Sequence, residues 1–212
     1  YRSLTAAMRI CAILILPMAL GLSVMAEPIL KLIDNVKSAQ MAAPLLSVLA
    51  LSVFFVGMIS ITNAILQASG NERLPIISMV AGAVVKIISS TVLIGIPEIG
   101  IYGTPIGTFL CYMTTTVINF IFLSKYVDLT PKYGSVFVRP LISSAVCCLG
   151  AYGSYAAFAR FAGVSSRLHN AAATAVAIVC AGLIYVVLTF LTKAVTHDDI
   201  AMLPRGEKIY GV

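Results

Sequence analysis

Lys86 sits in the run AGAVVKIISSTVLIG, residues 81–95, where every other side chain is apolar, small or a hydroxyl. A lysine at mid-bilayer depth costs about 2.5 to 3.5 kcal/mol on insertion scales, so such residues mark a function or a buried partner. Its side chain reaches about 6 Å, short of water roughly 15 Å away, unless a cavity or bilayer defect brings water in. Helical spacing groups Lys86 with Met79, Gly82, Ala83, Ser89, Ser90 and Leu93, and sets Ile77, Val84 and Ile88 opposite. The charge is thus expected on a small, weakly polar stripe facing protein or a water-filled space, with the branched residues toward lipid. The eight acids, Glu27, Asp34, Glu72, Glu98, Asp128, Asp198, Asp199 and Glu207, fall at segment ends, in loops or in the tail. Three roles for Lys86 stay open. It meets an anionic substrate, it pairs with an acid beyond this sequence, or it rests on backbone carbonyls or loses its proton.

Two further polar stripes point to the same interior. Tyr112, Thr115, Thr116 and Asn119 recur at i, i+3, i+4 and i+7, and Asn63 and Gln67 stand four apart with Ser60 on their side. Either they bond one helix to another, as such residues commonly do in membranes, or they line a hydrophilic path with Lys86. In IPEIGIYGTPIGT, residues 96–108, Gly103 and Gly107 form a GxxxG, with Gly100 before and Pro105 between. That pattern reads as close helix packing or as a hinge. No serine–histidine–acid set, glycine-rich phosphate loop or metal cluster occurs, and the two histidines, His169 and His197, lie at a helix edge and in the tail. The reading is of a non-enzyme needing no cofactor and no metal.

Composition sets what must hold these residues. Of 212 residues 60% are hydrophobic and 10% charged, whereas soluble domains carry roughly a quarter charged residues. Six apolar segments of 22 to 24 residues stand out, at about 10–33, 44–66, 75–96, 101–123, 137–158 and 170–191. Each spans roughly 33 to 36 Å as helix, enough to cross a bilayer with some tilt. The second opens at Pro44. The expected fold is an all-α, polytopic transmembrane bundle over residues 1–192, followed by a tail, 193–212. There Thr196 and Asp199 fit a capping box for a short interfacial helix that Pro204 and Gly206 would stop. The net charge of +6 comes from scattered loop residues and implies no nucleic acid. Nine Lys and Arg fall on the side of both termini and four on the other, which puts both termini in the cytoplasm. Cys11, Cys111, Cys147, Cys148 and Cys180 lie inside apolar runs and read as small buried hydrophobes. The sequence opens on Tyr1 without a leader peptide, so a longer protein is expected around it.

Four stretches carry a family resemblance: LPMALGLSVMAEPILKLI (16–33), APLLSVLALSVFFVGMISITNAILQASGNERLPI (43–76), VVKIISSTVLIGIPEIGIYGTPIGT (84–108) and LPRGEKI (203–209). In order and spacing they resemble the C-terminal half of a polysaccharide-type flippase of the multidrug/oligosaccharidyl-lipid/polysaccharide exporter superfamily. Within it they are closest to the stage V sporulation protein B-like branch. The resemblance implies a two-lobed, MATE-like fold of about fourteen helices whose central cavity opens to either side in turn. This chain would supply the last six and pack against the remaining N-terminal lobe. It implies an undecaprenyl-pyrophosphate-linked polysaccharide or peptidoglycan precursor as cargo in the bacterial cytoplasmic membrane. Lys86 matches the cavity cations that meet the pyrophosphate, and Asn63, Gln67, Thr115, Thr116 and Asn119 would line the path. Residues 137–158 and 170–192 correspond to the pair that forms a lipid-tail groove in lipid II flippases, with Val146, Leu149, Val176, Ile178 and Val179 as the bulky apolar set. A cation-coupled multidrug exporter of the same fold and a non-transporting scaffold for wall synthesis are the rival readings.

Overall fold

A computed structural model describes residues 2–127, 133–162 and 167–191. The tail and its capping box lie outside the described residues. The described chain is helical: α1 (Arg2–Val24), α2 (Ala26–Ile33), α3 (Val36–Ala68), α4 (Arg73–Ile94), α5 (Gly103–Tyr126), α6 (Tyr133–Ala162) and α7 (Arg167–Leu191), with a single 3-10 turn at Gly100–Tyr102. Among the described residues four stretches are long and apolar enough to cross a membrane: Ala6–Val24, Val36–Ala68, Arg73–Ile94 and Gly100–Tyr126.

Prolines account for the departures from the expected segments. The first apolar run is two helices, because the chain breaks at Met25 (φ −94, ψ 12) and Pro28 then stands in the first turn of α2, where a missing N–H costs nothing. Pro44 does not open the second run. It lies inside α3, whose start is set by extended Asn35 at φ −67, ψ 152. At 33 residues α3 is about 50 Å long, against a hydrocarbon core of about 30 Å. Its extra first turns carry Lys37, Ser38 and Gln40, which suit the interface. In α1 Pro17 removes the helical donor to the Ile13 carbonyl. The Tyr185 hydroxyl of α7 donates to that oxygen at 2.5 Å, which fastens α7 to α1 one turn before Pro17.

Contacts run in a series, with α4 on α5, α5 on α3, α3 on α1, α1 on α6 and α6 on α7, while α2 touches α3 and α7. Three small cores join them. Met8, Ile65, Leu66 and Leu123 tie α1 to α3 and α5. Ala12, Leu16 and Met58 continue that seam. Met25, Ala151 and Ala177 lock the α1–α2 break against α6 and α7. The small residues let backbones approach closely, as membrane helices need where apolar burial alone gives no preference for protein over lipid.

Candidate functional site

The α4–α5 pair is built by that close approach. Pro75, Ser78 and Gly82 are the buried residues of α4, and they recur at i, i+3 and i+7 on one face. A β-carbon on Gly82 would meet the Thr115 hydroxyl and come 2.9 Å from the Cys111 carbonyl oxygen. One on Gly107 would press on Ser90 and come 3.2 Å from the Ser89 Oγ, and one on Gly103 would come 2.8 Å from the Ile94 nitrogen. Gly103, Pro105 and Gly107 are all buried. The GxxxG is thus a packing surface in this arrangement. Gly100, at φ +47, makes the left-handed turn that leads into it.

Lys86 flanks this seam. It is exposed, with exposed Met79 and Ala83 on one side and half-buried Ser89 and Ser90 on the other. Ile77, Val84 and Ile88 are exposed on the far side of α4. The stripe expected around Lys86 is therefore split: its Gly82 edge packs on α5 and its Met79–Ala83 edge is open. No ion pair to Lys86 occurs among the described residues. Glu72 and Glu98 lie beyond opposite ends of α4.

The α5 stripe forms an internal polar spine. Thr115 donates to the Cys111 carbonyl at 2.9 Å and lies 3.4 Å from that of Ser78 in α4. Thr116 donates to the Tyr112 carbonyl at 2.8 Å and lies 3.4 Å from that of Phe55 in α3. Asn119 donates through Nδ2 to Thr62 Oγ1 at 2.9 Å and Asn63 Oδ1 at 2.7 Å. Thr115, Thr116 and Asn119 are 3%, 3% and 0% exposed, so they bind helices together and open no water path here. Asn63 joins them half-buried, whereas Gln67 and Lys86 stand outside, exposed. Thr62, fully buried at the centre of this cluster, carries no sequence signal, because Met58, Ile59, Ile65 and Leu66 at its helical neighbour positions are all apolar. Interhelical bonds in membranes average about 0.6 kcal/mol. Asn119→Ala, which removes two of them, is expected to cost about 1 kcal/mol and to lower the melting temperature of the solubilised protein by roughly 2 to 4 °C. Differential scanning fluorimetry checks this.

The structure also has two apolar hollows. One, of about 530 Å³, lies between α1, α3 and α5, lined by Leu16, Leu51, Phe54, Phe109 and Phe120 and reached by Thr116. The other, of about 420 Å³, runs between α1–α2 and α6–α7 and is lined by Pro17, Gly21, Cys147, Ala151, Ala181 and Tyr185. Small residues share this second slot with Met18, Leu22, Met25 and Ile29. Of the bulky set expected to shape it, Ile178 takes part, while Val146, Leu149, Val176 and Val179 are 42 to 74% exposed and project outward.

Residues 1–173 match the family described as Lipid II flippase MurJ. Comparison with curated proteins and with solved structures yields no match. The matched residues take in α1 to α6, and with them Lys86, the α5 spine and the α4–α5 seam. The apolar, membrane-length helices agree with a carrier of lipid-linked precursors, and the chain belongs to the MurJ family of lipid II flippases.

Proposed function

We propose that this chain is the second lobe of a flippase that carries an undecaprenyl-pyrophosphate-linked peptidoglycan precursor across the membrane by alternating access, with both termini cytoplasmic. The observation that carries the reading is Lys86, a mid-helix cation exposed on the flank of α4 and without an ion pair among the described residues, in a family whose cargo is a lipid pyrophosphate. Lys86 holds the pyrophosphate. Asn63 and Gln67 contact the polar head at the α3 edge. Thr115, Thr116 and Asn119 fix α5 behind them, and the slot beside α6 and α7 takes hydrocarbon. The open flank of α4 packs toward the remaining lobe. The Gly100 turn, with Gly103, Pro105 and Gly107, lets the α4–α5 pair move as one piece.

A cationic-drug exporter would want a carboxylate at mid-membrane, where this sequence places none. A scaffold would act through its loops and tail and be indifferent to Lys86. The resemblance to the sporulation branch favours a lipid-linked polysaccharide as second cargo. The full-length protein, expressed in a strain depleted of its lipid II flippase, is expected to restore growth and return lipid II to the outer leaflet, read as its cleavage by an externally added lipid II-degrading toxin. Growth without lipid II exposure would overturn the reading.

A further inference from the structure

We propose that Tyr185 is a positioning residue: its bond to the Ile13 carbonyl is a releasable strut that closes one end of the slot between α1–α2 and α6–α7, and its opening lets a lipid chain pass from one leaflet to the other. The chain is the hydrocarbon of the reading above, on which this part rests, while the strut stands on geometry alone. The main backbone packing of α1 is against α3 and α6, and that of α7 is against α6 and α2. The space left between α1 and α7 is the slot of about 420 Å³. Gly21 of α1 and Gly182 of α7 both line it, and a β-carbon on either would meet nothing within 4 Å. Tyr185 spans this gap, donating to the Ile13 carbonyl at 2.5 Å. At the opposite end the core of Met25, Ala151 and Ala177 closes α7 on the α1–α2 break. An apolar core thus holds α7 at one end and a side-chain hydrogen bond helps hold it at the other. On its far side α7 is bound to α6, where Cys147 Sγ donates to the Ala181 carbonyl at 3.0 Å.

The chemistry of the strut follows from Pro17. Any other residue there would donate its N–H to the Ile13 carbonyl and complete the helix; proline leaves that oxygen as an acceptor for α7. A side-chain bond of this kind breaks without unwinding a helix, and single interhelical bonds in membranes are weak enough to open reversibly. The position of the strut sets its consequence. On α1–α2 the slot lining runs from Pro17 to Ile29, about 18 Å of helix, against about 15 Å for half of a hydrocarbon core. The slot therefore occupies one leaflet, the one on the side of α2, and Tyr185 stands at its floor near the midplane. A chain entering from the α2 side stops at the ring while the strut is closed. Release of the hydroxyl from Ile13 frees α7 to swing away from α1 and joins the slot to the other half of the membrane.

The position of α7 is measured apart from flipping. Spin labels are placed at Leu14→Cys and Leu183→Cys, 54% and 64% exposed on α1 and α7, in the full-length protein with all other cysteines replaced by alanine. Double electron–electron resonance should give one narrow distance distribution with Tyr185 present. Tyr185→Phe, which keeps the ring and loses the hydroxyl, should broaden it toward longer distances and lower the melting temperature by about 2 to 4 °C. A floor that no longer closes does not retain the chain, so lipid II exposure should fall at least about threefold. Adding Pro17→Ala to Tyr185→Phe returns a helical donor to the Ile13 carbonyl, so melting should recover while the distances stay long. Recovery of both would mean that Tyr185 only satisfies that carbonyl, and would overturn the proposal. Unchanged distances in Tyr185→Phe, or lengthened distances with wild-type lipid II exposure, would also overturn it. Distances that respond as stated in a protein that exposes no lipid II would support the strut and overturn the cargo reading instead.

Discussion

Lys86→Glu in the full-length protein is expected to abolish growth of a flippase-depleted strain, Lys86→Ala to reduce lipid II exposure at least about tenfold, and Lys86→Arg to retain most of it. The ranking follows from charge. A hydrogen bond to an ionised group is worth about 1.5 to 3 kcal/mol, and each 1.4 kcal/mol is about tenfold in affinity. Removing the ammonium forfeits that contact. A glutamate there also repels the pyrophosphate, in an environment that screens charge less than water does. Arginine keeps the charge on a longer stem. Folding does not confound the result, because Lys86 is exposed on α4 and makes no ion pair among the described residues. Its loss leaves no buried partner unsatisfied. Lipid II exposure is read with an externally added lipid II-degrading toxin, beside blotting for protein level. Normal growth with both Lys86→Ala and Lys86→Glu would remove Lys86 from the cargo path and favour the scaffold reading, in which deletion of the tail is the damaging change.

Membrane class and the Lys86 anomaly are legible in sequence for one reason. Both rest on transfer energies that act residue by residue, so a 60% hydrophobic composition and one charge in an apolar run need no tertiary information. The α5 stripe shows where that information stops. Periodicity places Thr115, Thr116 and Asn119 on one side of a helix, but not what that side meets. Water, lipid and another helix leave the same pattern, and here the answer is α3 and α4. Proline is ambiguous in the same way. Pro44 reads as the start of a segment because its nitrogen has no hydrogen to donate to a helical carbonyl, yet it lies inside α3. In lipid the apolar surroundings keep the rest of the ladder formed, so a helix can run on through a proline. Thr62 leaves no trace in sequence, since its role depends on Asn119, which is 57 residues away.

Gly82→Leu is expected to be the most damaging apolar substitution in the chain, lowering the melting temperature by about 10 °C or preventing accumulation altogether. The α4–α5 seam closes on this glycine, where a first side-chain carbon already meets Thr115 Oγ1 and comes 2.9 Å from the Cys111 carbonyl oxygen. Overpacking of a tight core costs typically about 1 to 3 kcal/mol, and for a protein of this size each 1 kcal/mol is worth roughly 2 to 4 °C. The geometry makes a further, separable demand. Removing the Thr115 hydroxyl relieves one of the two clashes but not the backbone one, so Thr115→Ala should recover only part of the stability lost in Gly82→Ala. Gly153→Ala, where an added carbon meets nothing within 4 Å, should leave melting unchanged. Any Gly82 variant that still accumulates must splay α4 from α5, and Lys86, one turn further along α4, moves with it. Such a variant is expected to lose lipid II exposure out of proportion to its loss of stability. Equal melting temperatures for Gly82→Leu and wild type would mean that α4 does not rest on α5 at this position. A stable Gly82→Ala protein with full lipid II exposure would separate the placement of Lys86 from the α4–α5 seam.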